Sequence, residues 1–182
     1  ILSPFPRLTY VEALDKYGSD KPDLRFGLPL ADLSDLVKES GFAVFAAALT
    51  GGGQVKGLRF PTAATYSRKQ VDELTEFAKS RGAKGLVTLA VEADGSLRGP
   101  VAKYLSPAEA QGIVQRLEAQ PGDLLLLVAD RPKVVADTLS ALRLLAGDRL
   151  NLRDPNLLAF GWVVDFPLLE WKEEEGRWDS TH

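Results

Sequence analysis

The 182-residue chain contains no cysteine and no methionine, and its single histidine, His182, is the last residue. Without cysteine the stretch can form no disulfide, thiolate zinc site, iron–sulfur cluster or cysteine nucleophile. A single imidazole leaves little room for a histidine-based metal site or a catalytic dyad within this stretch. The longest apolar run, residues 124–129, falls far short of the ~18 residues that span a bilayer. The lack of methionine, even at position 1, predicts a piece of a longer chain.

Charge is balanced over most of the sequence and acidic only near its end. Apolar residues make up 45% and charged residues 26%, as in ordinary globular proteins. The net charge is −3, yet residues 28–152 sum to +1, whereas residues 153–182 hold three basic and seven acidic residues. No basic stripe is present, so bulk electrostatics give no strong signal for nucleic-acid binding.

The residue patterns predict an α+β fold with a mixed or antiparallel sheet and helices. Capping boxes at Thr9, Ser67 and Ser106 each predict a helix start. The apolar run at 124–128 predicts a central strand that is buried on both faces. A buried strand is expected at 42–49, joined by Gly51-Gly52-Gly53 to a return strand at 55–60, and a short helix at 33–37. Asp94-Gly95 predicts a second hairpin, with residues 101–105 as its second arm.

The residue patterns divide the chain into three segments, and this division predicts the domain organisation. Residues 30–152 form a complete α+β unit, long enough to bury its own core. Residues 1–29 and 153–182 read as incomplete flanks, with one helix and a few strands. A complete unit between two incomplete flanks is typical of a domain inserted into a larger fold.

Common catalytic and nucleotide-binding motifs are absent from the sequence. It contains no P-loop, no G-x-G-x-x-G after a strand and no G-x-S-x-G elbow. Asp20 and Asp23 flank Lys21 in a charged loop that either binds a ligand or is held by its own salt bridges. Asp165 closes an apolar strand, where a carboxylate either faces a pocket or caps the strand end. Residue chemistry alone leaves both questions open.

Two flanking motifs resemble bacterial-type aspartyl-tRNA synthetases, a class II family. They are YGSDKPDLR at 17–25 and WVVDFPLLE at 162–170. The stretch between them resembles that family's insertion domain, the GAD domain, which also occurs in subunits of tRNA-dependent amidotransferases. The marks of the GAD domain are Gly85-Leu86 and residues 99–105, 121–123 and 139–143.

The resemblance implies a cytoplasmic homodimer that activates aspartate with ATP and Mg²⁺ and then charges tRNA, with no membrane partner. The family motifs that hold ATP are not in this sequence, so we expect this stretch alone to bind no cofactor and to be inactive. His182 matches the first histidine of a His-His-Pro-Phe run that lies at the aspartate pocket in the family. Asp165 is carried over as a strand-end residue near that site.

The resemblance leaves the role of the GAD domain itself open. It implies either contact with tRNA or packing against the catalytic core. The alternative is an amidotransferase-associated GAD module, a tRNA-binding accessory domain without ligase activity, and a third possibility is a free-standing interaction domain. The flanking motifs favour the synthetase. The sequence does not decide between specificity for aspartate tRNA alone and for asparagine tRNA as well.

Overall fold

The computed structural model describes residues 4–172 and 175–181. Its elements, in chain order, are β1 Arg7–Thr9, α1 Tyr10–Tyr17, β2 Ala31–Asp32, α2 Ala43–Thr50, β3 Gln54–Phe60, α3 Arg68–Ser80, β4 Val87–Val91, β5 Leu97–Arg98, a 3₁₀ turn Ala102–Tyr104, α4 Pro107–Arg116, β6 Leu124–Asp130, α5 Pro132–Arg149, β7 Trp162–Val164, β8 Leu169–Lys172 and β9 Arg177–Ser180.

Five of the strands form one antiparallel sheet in the order β2-β3-β6-β4-β5. Strand β6 is central, and its side chains alternate between two apolar clusters. Leu124 and Leu126 pack with α3 and α5 on one face, whereas Leu125 and Leu127 pack with α2 and α4 on the other. Helices on both faces explain why β6 is apolar without interruption. The predicted α+β fold, with a central strand in this region, is confirmed.

The three predicted helix starts are also confirmed. Thr9, Ser67 and Ser106 each accept a hydrogen bond from the backbone N–H three residues on, and the side chain at that position accepts one from the N–H of the cap residue. Each box satisfies two N–H groups that a helix start leaves without intrahelical partners. These hydrogen bonds join residues only three apart in sequence, so they mark a helix start independently of the tertiary fold.

The strand expected at 42–49 is wrong, because this segment is helix α2. Four of its eight residues are alanine, the strongest helix former, and only Phe45 is fully buried. The hairpin expected with residues 55–60 is therefore absent, and β3 pairs with β2 and β6 instead. Gly53 lets β3 lie close to both α2 and β6, since a Cβ there would lie 2.8 Å from the Ala48 carbonyl oxygen and 2.6 Å from that of Asp130.

Two further local expectations are corrected. The strand opposite β4 across Asp94-Gly95 is the short β5, and residues 102–104 form a 3₁₀ turn rather than the expected strand. Pro100 has no N–H to donate to a ladder, which explains why the pairing stops before it. The helix expected at 33–37 is a turn, in which the N–H groups of Leu36 and Val37 both donate to the Leu33 carbonyl.

The two flanks meet outside the five-stranded sheet. Strand β1 runs parallel to β7, with Arg7 opposite Trp162 and Thr9 opposite Val164. Strands β8 and β9 form a hairpin in which Trp171 faces Trp178. Several large apolar side chains of this region are exposed, including Phe160, Leu168 and both hairpin tryptophans. Within the described ranges, none of the helices has the length and apolar character needed to cross a membrane.

Candidate functional site

A cleft of about 410 Å³ lies where the two flanks meet. It forms because α1 ends at Gly18, whose left-handed backbone (φ 67°) turns the chain into a loop that faces β7. We call residues 19–28 the junction loop, because they lead from α1 toward β2. The parallel pair β1–β7 supplies the other wall of the cleft. The lining residues are Leu8, Asp20, Lys21, Pro22, Leu24, Ala159, Phe160, Gly161, Trp162, Val163 and Phe166.

Asp23 is the electrostatic centre of the junction loop. Its carboxylate accepts hydrogen bonds from Nε and Nη2 of Arg25 at 2.9 and 2.7 Å, and Arg153 Nε lies 3.5 Å away. The hydrogen bond from the Arg25 side chain holds the pKa of Asp23 below its usual value. Of the two alternatives left open by the sequence, the structure thus favours the salt-bridged loop for Asp23.

Asp20 and Lys21 are arranged differently from Asp23. Both line the cleft, and Lys21 is exposed. Neither side chain forms an ion pair with any other residue in the part of the chain that the structure describes. The cleft therefore presents one carboxylate and one ammonium beside an apolar wall that includes Phe160 and Trp162.

Arg143 of α5 holds the junction loop from the inside. Although charged, it is only 1% exposed, and its guanidinium donates to four backbone carbonyls of the loop. The rings of Tyr17 and Phe26 lie 4.7 and 4.2 Å from its Cζ atom. Burial lowers the pKa of Arg143 from its usual value. Sequence reasoning included Arg143 only as the end of a family mark, although a charge on the core-facing side of a helix is itself an unusual signal.

Asp165 follows directly after β7 and is exposed. Its backbone is left-handed (φ 59°), a conformation that aspartate tolerates better than most residues. Its neighbours Val163 and Phe166 line the cleft, while Asp165 itself does not. The structure thus places it beside the cleft, and its assignment to a substrate site stays a prediction.

His182 lies outside the described residues, so its assignment also stays a prediction. The residue before it, Thr181, is fixed at the end of the β8–β9 hairpin. Its N–H donates to the Leu168 carbonyl at 3.3 Å, and its hydroxyl donates to the Pro167 carbonyl. The chain therefore returns at Thr181 to a point only two residues beyond Asp165.

The described residues show no cluster fit for a metal ion. Among residues 4–172 and 175–181, no three histidine, cysteine, aspartate or glutamate side chains converge. The carboxylates of the cleft region are either paired with arginine, as in Asp23, or dispersed. We therefore assign none of these described residues to Mg²⁺ or to a Mg²⁺-bound nucleotide.

Comparison with known proteins gives a family and several relatives. The GAD domain model matches residues 45–139. An aspartate–tRNA(Asp/Asn) ligase of Symbiobacterium thermophilum is 55% identical over 99% of this chain, and one of Anoxybacillus flavithermus is 55% identical over 98%. An aspartate–tRNA ligase of Bacillus licheniformis is 53% identical over 98%. In each case the chain spans about 30% of the relative's length.

Proposed function

The chain belongs to the GAD domain family, and from that membership we propose that it is the GAD-containing part of an aspartate–tRNA ligase. The extent of the similarity carries this proposal. The GAD match ends at residues 45 and 139, whereas the ligases are similar over 98–99% of the chain, including both flanks. An amidotransferase-associated GAD module would share the matched domain without the flanks. The relatives therefore favour the ligase over that alternative.

In this proposal the protein activates aspartate with ATP and then transfers it to tRNA, with Mg²⁺ as the metal that accompanies ATP. It works as a homodimer in the cytoplasm. Residues 1–29 and 153–182 belong to the catalytic core, and residues 30–152 form the insertion. The groups that hold ATP and Mg²⁺ lie outside this stretch of sequence, so no step of the reaction is assigned to its residues.

His182 is the residue that we place against the aspartate substrate. An imidazole that titrates near neutral pH can donate a charge-assisted hydrogen bond to a carboxylate. The anchoring of Thr181 to Pro167 supports a location near the end of β7, where Asp165 also lies. Asp165 contributes to the same region as a strand-end residue.

The direct experiment uses the intact protein that contains this sequence. We expect aspartate-dependent exchange between ATP and pyrophosphate, and charging of a tRNA(Asp) transcript with aspartate. Glutamate in place of aspartate is the matched control and should give no exchange. The 182-residue chain alone should give none either. An intact protein that neither exchanges nor charges would contradict the proposal, and exchange by the chain alone would contradict the placement of the ATP site outside it.

A tRNA(Asn) transcript tests the specificity that the sequence leaves undecided. The relatives carry both descriptions, since one is named for aspartate tRNA and others for aspartate and asparagine tRNAs. Charging of both transcripts at similar rates would assign the broader specificity, whereas charging of tRNA(Asp) alone would assign the narrower one.

The insertion itself has two candidate roles, and we propose contact with tRNA. Its near-neutral charge suits local contacts that depend on shape, in contrast to a groove that follows many phosphates. Replacing residues 31–150 in the intact ligase by a short linker should then spare aspartate activation more than tRNA charging. Equal loss of both activities would instead favour a packing role.

A further inference from the structure

We propose that Arg143 is a positioning residue that fixes the junction loop as a rigid wall of the cleft. The residue belongs to α5, whose Leu139 and Leu142 lie in the core of the five-stranded sheet. Through Arg143 the GAD domain would set the geometry of a surface outside its own sheet. The inference concerns the cleft wall and stands whether or not the protein is a ligase.

The guanidinium bonds to the loop at four points along the backbone. Nε donates to the Leu28 carbonyl at 3.0 Å, and Nη2 lies 2.9, 2.9 and 2.8 Å from the carbonyl oxygens of Asp23, Phe26 and Gly27. Such a grip suits arginine, because the planar guanidinium has several donors in a fixed geometry and also stacks on aromatic rings. A lysine has one compact donor group and cannot reproduce both features.

The loop has little regular structure of its own to hold these carbonyls in place. No helix or strand occurs between the end of α1 and Ala31. Leu28 has a left-handed backbone (φ 64°), which costs energy for a side chain of this size. Without Arg143 the four carbonyls would need new partners, and the loop would have to move to reach water.

A contact between Leu24 of the loop and Gly161, which directly precedes β7, links the loop to that strand. A Cβ on Gly161 would lie 2.7 Å from Leu24 Cδ1, so this leucine packs directly on the glycine backbone. Leu24 and Gly161 both line the cleft, as do Asp20 and Lys21. A displaced loop would therefore change the width of the cleft and the position of its two charged groups.

The absence of cysteine makes a site-specific test straightforward. A nitroxide spin label on Lys21→Cys reports the mobility of the loop by electron paramagnetic resonance. The spectrum is recorded with Arg143 unchanged and with Arg143→Lys or Arg143→Met. A label on Ala93→Cys, at the exposed turn between β4 and β5, serves as the control position. Arg149→Met is the matched control substitution, since this arginine lies on the same helix and, among the residues that the structure describes, forms an ion pair with Glu73 alone, at 3.7 Å.

We expect Arg143→Met to give the label at position 21 a fast component with a several-fold shorter correlation time. Arg143→Lys should give an intermediate spectrum. The label at position 93 should not change in either variant, and Arg149→Met should change neither label. Unchanged mobility at position 21 in Arg143→Met would overturn the proposal. Equal mobilisation at positions 21 and 93 would also overturn it, because that result indicates a general loss of structure.

The lysine variant protects the test against a methionine variant that does not fold. The circular dichroism spectrum first establishes whether each variant retains the secondary structure of the protein with Arg143 unchanged. If only Arg143→Lys folds, a mobile label at position 21 with an unchanged label at position 93 supports the positioning role. An immobile label at position 21 in the folded lysine variant rejects it.

Discussion

The turn before β6 offers a stability prediction that the structure allows to be worked out bond by bond. Asp123 is only 4% exposed, and its carboxylate accepts from the N–H groups of Thr62 at 3.2 Å and Gln120 at 3.0 Å. Arg59 Nη1 lies 3.4 Å from the same carboxylate. Thr62 has a left-handed backbone (φ 59°), so its hydrogen bond also holds a strained turn in place.

Asp123→Ala removes the acceptor and leaves both N–H groups without it. A hydrogen bond to a charged group contributes about 1.5–3 kcal/mol, and the lower end applies to each of these two because Thr62 and Gln120 are exposed residues. The partly exposed Arg59 can return to water, so its loss adds little. We therefore expect the free energy of unfolding to fall by about 3 kcal/mol. For a chain of this size such a loss lowers the melting temperature by roughly 6–12 °C.

Urea titration followed by circular dichroism measures this loss, with thermal unfolding as a second readout. Asp123→Asn keeps one acceptor oxygen and should lose about half as much stability. Asp72→Ala, at an exposed position of α3, is the control and should change the free energy of unfolding by less than about 0.5 kcal/mol. A loss below about 1 kcal/mol for Asp123→Ala, or an equal loss for the control, would refute the accounting.

Three further predictions follow from other parts of the molecule. Ser106→Ala removes the cap of α4 and should cost about 1 kcal/mol in urea unfolding, whereas Ser106→Asp should keep most of the stability. The pKa of Asp23 is lowered by Arg25, so its stabilisation is present above the unfolded pKa of about 4 and is lost as the pH falls through the lower folded value; Asp23→Asn should therefore flatten the stability curve between pH 7 and pH 3. In the intact ligase, His182→Ala should lower kcat/KM for aspartate roughly 30- to 150-fold, which corresponds to a loss of about 2–3 kcal/mol of transition-state stabilisation, with a smaller effect on the KM for ATP. Unchanged aspartate kinetics would reject the assignment.

Local signals made much of the fold predictable. A capping box specifies a helix start through contacts within four residues, so Thr9, Ser67 and Ser106 could be read without tertiary information. The apolar run of β6 predicted its central position for a similar reason, because only a strand covered on both faces is apolar throughout. These features depend on short sequence separations or on simple burial.

The errors arose where local pattern is ambiguous. Residues 43–49 are all apolar, so periodicity cannot separate a buried strand from a helix. One partner of β3 is β6, which lies about seventy residues further along the chain, whereas the expected partner was the segment just before β3 in sequence. Pairing across such a distance follows from the packing of the whole sheet and leaves no short signature.

The candidate site was predictable in composition but not in arrangement. The charged loop was recognised, yet only the geometry shows that Asp23 is bound to Arg25 while Asp20 and Lys21 line the cleft. The role of Arg143 depends on carbonyls that lie 115–120 residues away in sequence. Backbone acceptors have no residue-type signature, so no motif search can find such a contact.

The way the chain enters and leaves the GAD domain bears on how that domain acts. Strand β1 precedes the domain and β7 follows it, and the two strands pair in parallel register. The chain therefore enters and leaves the long insertion at neighbouring points, as is usual for an inserted domain. The connection is also anchored, since Leu28 joins the core of the sheet and buried Lys56 of β3 donates to the Asp15 carboxylate of α1. Together with Arg143, these contacts hold the domain against the cleft instead of leaving it on a flexible arm. In a ligase, a tRNA contact on the GAD domain would then lie at a fixed distance from β7, and it would align the tRNA through rigid geometry.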